Sequence, residues 1–231
     1  MDTGSEPRRT AARELAARHV EGGSRPAVGE SSLLAYAERP RPEHDRWGLR
    51  SALVRLAQPE PEWAGRILAV VRRVDAAIGP LRRRLDDHTV VVDPALDERT
   101  VSPDEIGPTV DSRVTDLARL AVALDPAWRP ATAPAVDPAV VEDVLAGYSD
   151  GLTRCGGEPL ASDELAALPL VVVCVALDRL ADAVAAWAVT APGPAPLDLI
   201  EGVCDGAWAT LDACGAPLET RRPSRGRRTP A

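Results

Sequence analysis

The feature that most limits what this chain can fold into is the stretch Leu85–Leu124, LDDHTVVVDPALDERTVSPDEIGPTVDSRVTDLARLAVAL. It holds the one clear strand signal. Everything on either side reads as helix or loop, so the expected class is mainly α. Thr89-Val-Val-Val-Asp93 is β-branched and too short for a helix, which predicts a strand. Pro94–Glu98 supplies a turn, and Arg99–Ser102 can return antiparallel to close one short β-hairpin. Gly107-Pro108 is a second turn. Asp111 then stands where a helix N-cap belongs, with Val114, Leu117, Ala118, Ala121 and Leu124 on one face.

Toward the N-terminus, residues 1–8 carry no pattern. Arg9–Val20 predicts a surface helix with only Leu15 and Val20 as large apolar groups, too few to anchor it strongly. Leu49, Leu53 and Leu56 recur at helical spacing. Pro61 and Glu62 open the next helix, expected to reach Ile78 and to break or kink at Gly79-Pro80. In it Trp63, Ile67, Val70, Val71 and Val74 form a core stripe, and Arg66, Arg72, Arg73 and Asp75 face water.

Beyond Leu124 a proline-rich loop leads to Asp137-Pro138, an N-cap followed by proline at the first helical position, for a helix ending near Tyr148. Ser162 is expected to cap a central core helix, with Asp163 and Glu164 against its dipole. Leu197–Ala213 is the last helix. The domain reading is a poorly ordered or helical extension over 1–46, one helical domain over 47–213, and a disordered Arg/Pro-rich tail over 214–231.

The 231 residues, 45% hydrophobic, suffice for one packed core. A net charge of −8 argues against nucleic acid and against a membrane surface, both of which attract basic fields. All 27 basic side chains are arginine. Lysine, asparagine and phenylalanine are absent, so neither a Schiff-base lysine nor an asparagine metal ligand is possible. The bias fits a GC-rich bacterial genome. Cys155, Cys174, Cys204 and Cys214 contain no CxxC pair, and the N-terminus is charged. They are therefore expected as reduced thiols in a cytoplasmic protein. The apolar run Leu165–Leu177 is too short to cross a bilayer.

Leu53–Ala57 followed by PEPEW, Leu85–Asp93, Ile106-Gly-Pro108 with Thr115-Asp-Leu-Ala118, Val144-Leu-Ala-Gly-Tyr148, Pro159-Leu160 and Glu164-Leu165 come in a telling order. Together they resemble the C-terminal lobe of the aminoglycoside phosphotransferase family, which includes choline-kinase-like enzymes. The resemblance covers residues 47–190. It implies a helical kinase-like C-lobe with one short β-hairpin, and in an active member it would imply Mg-ATP as cofactor.

At the chemistry the chain departs from that pattern. The family's catalytic loop resembles H-G-D-L-x-x-x-N. Laid on Arg82–Asp93 it puts Arg84 at the catalytic aspartate and Thr89 at the metal-binding asparagine. Arginine cannot take a proton near pH 7, and threonine is a poor magnesium ligand. Residues 1–46 are too short and too helical for a nucleotide-binding lobe, and the phosphate-binding lysine is missing.

Candidate catalytic residues are then Asp87, His88 and Asp104. His88 could be a base oriented by an aspartate, or part of a solvated turn. Asp104, beside Glu105 and Asp93, could hold a magnesium ion or lie in an acidic loop. Asp93 and Asp116 are expected to be structural. The resemblance thus implies a catalytically inactive (pseudokinase) protein acting as a binding, scaffold or regulatory subunit. Its expected partner is a protein in a homo- or hetero-oligomer, with no cofactor. The alternative is an atypical phosphotransferase using Mg-ATP with Asp104, and with His88 or Asp87 as base.

Overall fold

The computed structural model describes residues 4–22, 60–85, 89–91, 110–125, 136–190 and 197–214. Its elements are α1 (Ser5–Gly22), α2 (Pro61–Leu85), β1 (Thr89–Val91), β2 (Val110–Ser112), α3 (Arg113–Leu124), α4 (Pro138–Cys155), α5 (Ser162–Thr190) and α6 (Leu197–Ala213). The mainly helical class is as expected.

The hairpin is not shown as expected. β1 pairs antiparallel with β2, Thr89 opposite Ser112 and Val91 opposite Val110. The expected return strand Arg99–Ser102 lies outside the described residues. With Asp111 in the ladder opposite Val90, the cap of α3 falls to Ser112, whose Oγ accepts from the Val114 N–H at 3.4 Å.

α3 is more central than its single apolar face predicts. Every residue from Arg113 to Val122 is buried. It packs on α5, the long core helix, whose residues Leu170–Leu177 are all buried. Pro169 is accommodated within α5. Its first turn is closed by Glu164, which accepts from the Ala161 N–H at 2.7 Å, while Ser162 is the first helical residue rather than the cap. No described helix is long and apolar enough to cross a membrane.

α2 and α6 pack on each other and on α5. Ala64, Ile67, Val70 and Val74 of α2 meet Leu199, Ile200, Val203, Cys204, Ala207 and Leu211 of α6 in one apolar cluster with α5. α2 continues through Gly79-Pro80 to Leu85 as one element. Arg73, expected in water, is buried: its guanidinium lies 4.7 Å over the Trp208 ring and meets Asp212 at 2.6 Å. Arg66 repeats the pattern two turns earlier, over Trp63 and against Asp205. Trp208 gives Arg73 an aromatic face, so the charge can leave water at that position.

α4 starts as expected, with the Asp137 side chain accepting from the Ala139 N–H at 2.9 Å. It runs past Tyr148 to Cys155 and ends at Gly156, whose φ of 70° is the left-handed cap that glycine favours. Ser149-Asp150-Gly151 reads as a turn in isolation, but tertiary packing keeps it helical. α1 lies against this part of α4. α1 begins at Ser5 and buries Ala12, Leu15, Ala16 and His19.

Candidate functional site

Of the residues expected to carry chemistry, Asp87, His88, Asp93 and Asp104 lie outside the described residues, as do Ser102 and Glu105. The segment onto which the catalytic-loop pattern was laid begins in the last turn of α2. Asp116 is described. It is fully buried, and it belongs to a polar network that sequence reasoning did not foresee.

The network draws one residue from each of three helices. His19 of α1 places its Nδ1 2.7 Å from the Tyr148 hydroxyl of α4 and its Nε2 3.1 Å from Asp116 Oδ2 of α3. His19 is 5% exposed; Asp116 and Tyr148 are 0% exposed. A carboxylate can only accept, so Nε2 donates to Asp116. In the tautomer whose single proton is there, Nδ1 is bare and accepts from the Tyr148 hydroxyl. Asp116 Oδ1 is also approached by Arg119 Nη1 at 3.5 Å, one helical turn on. Each position follows from local structure: Asp116 falls in the first turn of α3, and Tyr148 sits in α4 on the side that α1 covers.

Beside it lies a bidentate pair. Arg113 donates through Nε and Nη2 to the two oxygens of Glu164, both at 2.6 Å. Its Nη1 and Nη2 also donate to the carbonyls of Glu158 and Pro159 at 2.9 Å. One guanidinium thereby fixes the α4–α5 connection to the start of α3. Burial opposes its charge, but the hydrogen bond and charge of Glu164 outweigh burial and raise the Arg113 pKa.

A third group joins α1 to α4 near the surface. Asp143 accepts from Ser5 Oγ at 2.6 Å, Arg9 Nε at 3.0 Å and Arg8 Nη1 at 3.5 Å. The Ser5 hydrogen bond and the two arginines hold its pKa below the ordinary carboxylate value, against the opposing effect of burial. Arg13 adds contacts to Asp150 at 3.5 Å and to Glu6.

The order Tyr148, His19, Asp116 is that of a nucleophile or acid, a base and an orienting carboxylate. Access is what it lacks. The hydroxyl is sealed under α1, and burial pushes the Tyr148 phenol well above its usual range, with Arg113 pulling the other way. Closed, this arrangement fixes three helices and donates no group to solvent. All four cysteines are free. Burial pushes the Cys204 thiol up to about 11, which leaves it protonated and unreactive near neutral pH. Among the described residues no group of three or more His, Cys, Asp or Glu side chains is arranged to hold a metal ion.

The signal that could have revealed the network is Gly147-Tyr-Ser-Asp-Gly151. Two glycines four apart inside a helix cost stability unless another backbone approaches there, and the approaching helix here is α1. Comparisons with protein-family models, with curated proteins and with solved structures gave no match.

Proposed function

We propose that the chain is a catalytically inactive, phosphotransferase-like (pseudokinase) protein that serves as a binding, scaffold or regulatory subunit in a bacterial biosynthetic or modification complex in the cytoplasm. The observation that carries this reading is the use made of the motif residues that are described. Asp116 of the Thr115–Ala118 segment, Tyr148 of the Val144–Tyr148 segment and Glu164 of the Glu164-Leu165 segment are all buried. Among their described partners, His19 and Arg113 join them to other helices, while Arg119 and the Ala161 N–H are local contacts. Arg84 at the base position and the absence of any lysine support the same reading.

The test has two arms. Calorimetry with Mg-ATP at millimolar concentration is expected to give no saturable heat. A sizing column run with the products of neighbouring genes is expected to shift the 24.4 kDa chain into a complex with one of them. Saturable Mg-ATP binding by a chain that stays a lone monomer overturns the proposal in favour of an atypical phosphotransferase.

A further inference from the structure

We draw no further inference here: the strongest candidate, the apolar outer face of α2 at Gly65, Leu68, Ala69 and Ala76, is exposed among the described residues, and nothing in the structure shows what covers it.

Discussion

Replacing Tyr148 with phenylalanine removes one oxygen and keeps the ring, so it deletes the hydroxyl that faces His19 and Arg113. The ring still fills its fully buried position, and no apolar cavity opens. What is lost is the 2.7 Å bond to His19 Nδ1. That nitrogen becomes a buried acceptor without its donor, because Nε2 already carries the proton facing Asp116. A buried polar atom stripped of its partner costs about 1–3 kcal/mol. Taking about 2 kcal/mol, and about 2–4 °C per kcal/mol for a chain this long, the melting temperature should fall by about 4–8 °C. In a His19→Leu background the same substitution should cost less, since the hydroxyl then keeps only its contact with Arg113. The coupling in that double-mutant cycle should be about 1–3 kcal/mol.

An alkaline arm checks the burial of the phenol. Its pKa is raised in the folded state, so the folded chain keeps a proton that the unfolded chain loses above its ordinary value of 10.0. That contribution is complete below pH 10 and drains away as the pH rises toward the folded value. The phenylalanine variant lacks this loss, so its deficit against the parent should shrink above pH 10. Denaturant midpoints across pH 7 to 11 read both effects. A variant equal to the parent at pH 7, with no coupling to His19, refutes the reasoning.

Other substitutions probe the remaining contacts. Gly147→Ala should destabilise despite alanine's better helix propensity, because its Cβ meets the α1 backbone, whereas Gly65→Ala in open space on α2 should stabilise by about 1 kcal/mol; thermal melts of the pair give opposite signs. Glu164→Ala leaves the Arg113 charge buried without its carboxylate and should cost about 3–5 kcal/mol in a urea titration, far more than an exposed Asp→Ala such as Asp198. Asp143 has a lowered pKa, so its contribution is present above the ordinary value of 3.8 and lost as the pH falls through the folded value. Arg9→Ala should therefore lower the urea midpoint at pH 7, and lower it by less as the pH falls and the carboxyl takes up its proton.

Helices with a wide apolar stripe could be read from sequence. The starts of α2 and α4 follow from Pro61 and Asp137-Pro138, and the core face of α6 follows from Leu199, Ile200, Val203 and Leu211. α1 was underestimated because its anchor is not apolar. Ala12, Ala16 and His19 look like surface residues until Gly147 and Gly151 let the two backbones meet. Arg73 was misplaced for a related reason: its stripe position says solvent, but the Trp208 face is supplied by a helix about 130 residues away. α3 lies where its apolar face puts it, yet four of its charged or polar side chains, Arg113, Thr115, Asp116 and Arg119, are buried, and Arg113 and Asp116 have partners on other elements that no local pattern reveals. The expected chemistry at Asp87, His88 and Asp104 falls on residues that the structure does not describe.

The central claim is that the buried polar groups lock α1 to the helical body in one hydrogen-bonded arrangement. Nitrogen NMR of the histidine rings tests it most directly, with His19 identified by its loss in a His19→Gln variant. The account predicts the Nε2-protonated tautomer, with bare Nδ1, and with the Nε2 proton protected from exchange with water. A ring protonated at Nδ1, or one whose proton exchanges as freely as in an unfolded peptide, would contradict it.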